Sequence, residues 1–176
     1  MKNITKYPGT SANDASVGDT DWYNLENVIG NTATRAGVGL NDGNSSKYLK
    51  VSNYSFSIPT RSTISGIKIE IEKLGSVDYS LDNSVKIVKG GSILGDDKAN
   101  TDAWKGPFQE EYVTYGGETD LWGEVWTSED INNSNFGLAF SCKNTSAGTF
   151  FHSSVYNIRI TVYYTLPGPF PVFFQT

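Results

Sequence analysis

The chain of 176 residues is poor in the side chains that most catalytic and metal sites use, since it contains one cysteine, Cys142, and one histidine, His152. A single cysteine excludes an intrachain disulfide, and one cysteine with one histidine leaves almost no ligand set for zinc. Any Ser-His-Asp or Cys-His arrangement would have to use His152. Its surroundings, GTFFHSSVY, are typical of a packed or surface side chain. We therefore predict a non-enzymatic protein without a cofactor or a metal.

Charge is also sparse, because only 19% of the residues are charged and the formal net charge is −5. Binding to nucleic acid requires clustered lysine and arginine, whereas the 14 basic residues here are scattered. No apolar run approaches the roughly 20 residues that a membrane-spanning helix needs. These features predict a protein that binds neither nucleic acid nor membrane.

Neighbouring acids leave two alternatives open. The acid pairs that could supply a glycosidase with an acid and a base are Asp19/Asp21, Asp96/Asp97, Glu110/Glu111 and Glu129/Asp130. The sets that could donate loop oxygens to calcium are Asp14, Asp19 and Asp21, and Asp96, Asp97 and Asp102. Acids mostly lie on solvated surfaces, and neither set has EF-hand spacing, so we favour surface charge for all of them.

What the chain does contain favours β-structure. Aromatic residues make up 13% of it and there are 18 glycines, a composition suited to strands and turns. Residues 64–74 alternate most clearly, with Ile67, Ile69 and Ile71 on one face. Residues 48–59 also alternate, with Tyr54 among the inward candidates. Further strand patterns cover residues 33–40, 81–88, 110–115, 136–141 and 157–164. The fold we predict is an all-β, antiparallel β-sandwich of jelly-roll type.

One short helix near 127–132 is predicted, because Thr127 can cap it and Glu129 and Asp130 fall in its first turn.

The tryptophans have two interpretations. Trp22 and Trp104 could form a glycan-stacking platform, or they could fill the core with their N–H groups bonded to the backbone. We favour the core for them, because large apolar residues are usually buried.

The two ends differ from the middle of the chain. Residues 1–20 are polar and predict an N-terminal arm or a first edge strand, and residues 21–165 form the sandwich domain. Residues 166–176, LPGPFPVFFQT, carry three prolines that do not suit a central strand. This Pro/Phe-rich C-terminal arm either folds back onto its own domain or docks on a neighbour. The candidate partner-docking residues are Phe170, Val172, Phe173 and Phe174.

Four segments carry a resemblance to a known family: FSIPTRSTISGIKIEIEK, NSVKIVKGGSILG, YGGETDLWGEVWTSEDINNSNFGLAF and VYNIRITVYYT. Together they resemble a β-sandwich domain that recurs in tailed-phage virion proteins and in some bacterial surface proteins. The resemblance covers residues 20–165, and its DLWG–WT–DIN–FG run is the most specific part. It implies a jelly-roll-like fold, a structural or adhesive role, and no catalytic residues.

The resemblance and the ends of the chain together give the functional prediction. We expect a bacteriophage virion protein, first a capsid decoration or cement subunit and next a head-fibre or tail-fibre component. Its partners would be other virion proteins, such as major capsid or tail proteins, and copies of itself in a homo-oligomer. The alternative is a carbohydrate-binding adhesin module that uses exposed aromatic residues.

Overall fold

The computed structural model describes residues 1–75, 79–106, 109 and 111–168, and within them the chain forms ten strands, one 3₁₀ turn and one α-helix. The strands are β1 (Lys2–Lys6), β2 (Thr10–Asp14), β3 (Ala36–Leu40), β4 (Tyr48–Ser52), β5 (Thr63–Leu74), β6 (Ser80–Lys89), β7 (Ser92–Leu94), β8 (Glu111–Gly117), β9 (Gly137–Asn144) and β10 (Phe151–Thr165). The 3₁₀ turn is Leu25–Val28 and the helix, α1, is Ser128–Asn132.

Two antiparallel sheets face each other. The first sheet has the order β1-β10-β5-β8, and β3 also pairs with the first half of β10. The second sheet has the order β2-β4-β9-β6-β7. This arrangement confirms the predicted all-β antiparallel sandwich.

The core lies between the sheets and follows the predicted alternation. Ile67, Ile69 and Ile71 of β5 are fully buried. They pair across the first sheet with Val162, Ile160 and Ile158 of β10, all of which are also fully buried. Cross-strand pairs of β-branched side chains stabilise a sheet, so this pair of long strands forms its centre.

Residues 54–58 depart from the prediction. Tyr54, Phe56 and Ile58 are buried as expected, but β4 ends at Ser52 and these residues belong to no strand. The backbone at Ser55 has a φ of 51°, which breaks an extended strand conformation. Instead the amide side chain of Asn132, at the end of α1, bonds both the N–H and the C=O of Ile58, at 2.8 and 2.9 Å. The alternation at residues 54–58 therefore indicates which side chains are buried, but it does not indicate strand pairing.

Helix α1 confirms the predicted short helix near 127–132. The Thr127 hydroxyl accepts a hydrogen bond from the Asp130 backbone N–H at 3.1 Å. The Asp130 carboxylate in turn accepts one from the Thr127 N–H at 3.0 Å. This reciprocal pair is a capping box, which satisfies two donors that the helix leaves without intrahelical partners.

Residues 1–20, predicted as an arm or an edge strand, supply the outer strand of each sheet. β1 pairs with β10 from Lys2↔Tyr164 to Lys6↔Ile160, and β2 pairs with β4. The start of β1 therefore lies beside the end of β10.

Candidate functional site

A buried polar cluster joins the two sheets in the core. Lys73 continues the inward alternation of β5, and Asp82 lies on β6 of the opposite sheet. Each residue is only 3% exposed. The Lys73 ammonium forms a hydrogen-bonded ion pair with Asp82 Oδ1 and also donates to Tyr115 Oη at 2.6 Å. We call Lys73, Asp82, Trp104 and Tyr115 the core charge cluster.

The Asp82 carboxylate has donors at both of its oxygens. Oδ2 accepts from Tyr115 Oη at 2.7 Å and from the backbone N–H of Asn100 at 3.0 Å. Oδ1 accepts from Trp104 Nε1 at 2.9 Å as well as from Lys73. A buried carboxylate is costly unless it is paired and hydrogen-bonded, and these donors meet that requirement.

The surroundings of the cluster shift its ionisation. Burial lowers the pKa of Lys73 below its ordinary value, although the nearby Asp82 carboxylate acts in the opposite direction. Burial and the Asp82 charge raise the pKa of Tyr115 well above its usual range, so this phenol stays protonated. Burial also raises the pKa of the adjacent Cys142 thiol to about 12, which leaves an inert structural thiol.

A cleft of about 380 Å³ opens beside the cluster. Its lining includes Lys73, Trp104 and the neighbouring residues Asn100, Lys105 and Glu111. The core charge cluster is thus buried, but two of its members, Lys73 and Trp104, line a cleft that small molecules such as water can enter.

A second feature lies on the outer face of the first sheet. Gly37 and Gly39 of β3 alternate with core residues and so face away from the core. Tyr23 covers Gly37 so closely that a Cβ there would lie 2.4 Å from its hydroxyl oxygen, and Phe150 covers Gly39 at the same distance. Phe150 also packs edge-on against His152, with ring centroids 4.9 Å apart. We call Tyr23, Phe150 and His152 the outer aromatic strip.

The strip is open to solvent. Tyr23 is 46% exposed and Phe150 is 51% exposed, and His152 is exposed between them. The Tyr23 hydroxyl lies 3.4 Å from His152 Nδ1, so the two rings can share a hydrogen bond. His152 is therefore a surface residue, one of the two environments that its sequence context indicated.

The two tryptophans named as glycan-stacking candidates are in the core, which corrects that alternative. Trp22 is 2% exposed and donates its indole N–H to Lys47 O at 2.9 Å. Trp104 is 4% exposed and donates to Asp82. Both rings pack on Phe140. Neither has a free face on which a sugar could stack.

The remaining candidates have separate outcomes. Phe170, Val172, Phe173 and Phe174 lie outside the described residues. Among the paired acids, Asp97 accepts hydrogen bonds from the Val85 and Ala99 N–H groups, and Asp21 pairs with Lys47 at 3.0 Å. Glu110 lies outside the described residues. Over the described ranges, no three or more histidine, cysteine or acidic residues are grouped to hold a metal ion.

Comparisons with known proteins do not identify a family. No family model matches the chain, and no curated protein matches it. Among solved structures, the chain is similar to part of an exo-β-agarase, with a TM-score of 0.39 and 11% identity. The match covers 92% of this chain and 23% of that chain, a similarity too distant to carry a functional inference. No helix in the described residues is long and apolar enough to span a bilayer.

Proposed function

We propose that the chain is a non-enzymatic structural subunit of a tailed-phage virion. A capsid decoration or cement subunit is the first choice, and a head-fibre or tail-fibre component is the second. The resemblance of residues 20–165 to virion β-sandwich domains supports the phage setting. The sandwich itself suits a rigid platform, because its two sheets are joined by a packed core and by the core charge cluster.

The observation that carries the proposal is that the chain leaves the first sheet after β10. β10 ends at Thr165, which pairs with Thr63, and the next residue, Leu166, is 41% exposed. The described residues already fill the core up to Val162 and Tyr164. The apolar side chains of residues 170–174 therefore follow a segment that has left the sheet. Each such side chain gains about 1.5–3 kcal/mol on burial, so a neighbouring subunit would be a strong docking partner.

Deleting residues 166–176 tests this role. We expect the truncated protein to keep the thermal unfolding midpoint and near-UV circular dichroism of the full chain. We also expect it to lose association with purified phage particles and to lose any homo-oligomer seen by light scattering. A control variant, Val125→Ser, changes a side chain that is 81% exposed elsewhere on the surface and should retain both. A truncated protein that still associates would contradict the proposal, and one that unfolds would place the arm in its own core.

The outer aromatic strip favours a second candidate, a carbohydrate-binding adhesin. Exposed aromatic rings offer the apolar faces on which sugar rings stack. Tyr23 and Phe150 are each about half exposed. Asn24, Asn27 and Arg35 line a shallow recess that also includes Tyr156. These polar groups could bond the hydroxyl groups of a sugar that lies on the strip.

A glycan array and titration with the selected polysaccharide separate the two candidates. Saturable binding that the double variant Tyr23→Ala/Phe150→Ala abolishes would favour the adhesin. The control is Tyr79→Ala, because Tyr79 is an exposed aromatic residue stacked on Phe151 outside the strip. Binding that persists in the strip variant, or no binding to any glycan, would remove this candidate.

A further inference from the structure

The core charge cluster brings an amine and a carboxyl group together between two sheets. We propose that Lys73 and Asp82 form an intramolecular isopeptide bond, an amide between Nζ and Cγ that covalently joins β5 to β6. This is a self-modification site rather than a ligand site, and it is independent of the proposed virion role. Four observations support it.

The first is proximity. Lys73 Nζ is in direct hydrogen-bonding contact with Asp82 Oδ1, and both side chains are almost completely buried. The two residues lie on hydrogen-bonded strands of opposite sheets, each next to a register shift in the pairing, and the strands hold their backbones in place. Holding two reactants in this way converts a bimolecular reaction into an effectively unimolecular one. Much of the entropic cost of bringing the groups together has then been met by folding.

The second is the apolar setting of the amine. The Lys73 ammonium lies 4.6 Å from the centre of the Trp104 ring and 5.5 Å from that of Phe140. Burial disfavours charge, and it lowers the pKa of Lys73. Transfer of one proton within the pair gives a neutral amine and a neutral carboxylic acid, which is the pair of species that can condense.

The third is the placement of donors around Asp82. When the amine adds to Cγ, negative charge develops on the oxygen that will become the amide carbonyl. Oδ2 suits that position because the Asn100 backbone N–H and the Tyr115 hydroxyl both donate to it, at 3.0 and 2.7 Å. Fixed donors of this kind stabilise a tetrahedral intermediate. Oδ1, which accepts from Trp104 Nε1, is then the leaving oxygen.

The fourth is an exit for the product. The C–N bond forms as the Cγ–Oδ1 bond breaks, and Oδ1 leaves as water with two of the three protons of the lysine ammonium. The amide nitrogen keeps the third, so the reaction needs neither oxidant nor reductant. The cleft of about 380 Å³ is lined by Lys73, Trp104 and Asn100, so the water is released next to solvent-accessible space.

Intact-mass spectrometry of the denatured protein tests the proposal. We expect the chain to be lighter than its sequence by one water molecule, and proteolysis to yield a branched peptide joining Lys73 to Asp82. Lys73→Arg keeps the positive charge but should have the full mass of its own sequence. The matched control is Lys68→Arg on the same strand, whose partner is Glu70 at 3.1 Å, and it should still lack one water. An unmodified wild-type mass would overturn the proposal.

A different dehydration must be separated from this one. Asp42 precedes Gly43, and an Asp-Gly step can lose water by closing to a succinimide. The measurements are therefore repeated in Asp42→Glu. This variant should still be lighter than its own sequence by one water and should still yield the branched peptide. Tyr115→Phe removes one donor to Oδ2 and should slow the appearance of the light species after refolding. A water loss that survives Lys73→Arg, or that disappears in Asp42→Glu, would overturn the assignment.

Discussion

Two adjacent glycines at the end of β8 should respond very differently to substitution by alanine. Gly116 has a φ of +68°, in the left-handed region, and Gly117 does not. A Cβ on Gly116 would lie 2.4 Å from Ile67 O and 2.7 Å from Trp122 Nε1, whereas a Cβ on Gly117 would meet nothing within 4 Å. The contacts at Gly116 also involve a hydrogen bond, because Trp122 Nε1 donates to Ile67 O at 2.9 Å.

The expected magnitude at Gly116 has two parts. A residue with a Cβ costs about 1–2 kcal/mol in the left-handed region. Overpacking of a filled site adds about 1–3 kcal/mol, because here one of the crowded atoms is backbone and the other belongs to a fully buried indole. Gly116→Ala should therefore lower the free energy of unfolding by about 2–5 kcal/mol. Gly117→Ala should change it by no more than about 0.5 kcal/mol.

Urea or guanidinium titrations of the two variants and the wild type, followed by tryptophan fluorescence, measure this difference. The slope of unfolding against denaturant should be the same in all three, so that midpoints report stability directly. Equal losses at the two glycines would refute the reasoning, because nothing but backbone conformation and local space distinguishes them. A larger loss at Gly117 would show that the turn after β8 has a different conformation.

Two further predictions concern single polar groups. Tyr54→Phe should raise the free energy of unfolding by about 1 kcal/mol, since among the described residues the buried Tyr54 hydroxyl has no hydrogen-bond partner. Tyr48→Phe should instead lower the free energy of unfolding, because it removes the hydrogen bond to Ser84 at 2.7 Å. Equal effects of the two variants in denaturant titrations would contradict this reasoning. The paired Arg159 guanidinium lowers the pKa of Glu70, so the pair contributes stability above the ordinary glutamate pKa and loses it as the pH falls through the depressed value. The free energy of unfolding of the wild type should therefore exceed that of Glu70→Gln by about 1 kcal/mol at neutral pH. Denaturant titrations at several pH values should show this difference shrinking below about pH 4. A difference that grows in acid would contradict the assignment.

Alternation along the sequence was enough to place most of β5, β6, β9 and β10, but not to find the cluster between the two sheets. Ile67, Ile69 and Ile71 predicted the inward face of β5, and the same parity also leads to Lys73. A charged residue near a strand end is ordinarily solvated, so this parity alone does not predict that Lys73 is buried. Its partner, Asp82, lies on the other sheet, and no periodicity within one strand reveals which residue faces it across a core.

The outer aromatic strip has a similar explanation. Residues 33–40 predict a strand, but they do not show what covers its outward face. Tyr23 comes from the segment before β3, and Phe150 from the segment before β10. Burial of Trp22 and Trp104 agrees with the core interpretation that we favoured and excludes the glycan-stacking alternative, because their indole N–H groups have carbonyl and carboxylate partners inside the sandwich.

The antiparallel register of β1 and β10 has a mechanical consequence. Because Lys2 lies opposite Tyr164, a pull on residue 166 against an attachment placed before residue 2 would load the two strands at one shared end. Their hydrogen bonds would then break one after another, as in a zipper, instead of all resisting together in shear. A particle bound through the C-terminal segment alone would avoid this weak direction, because the load would enter β10 at the centre of the sheet and be spread over its neighbours.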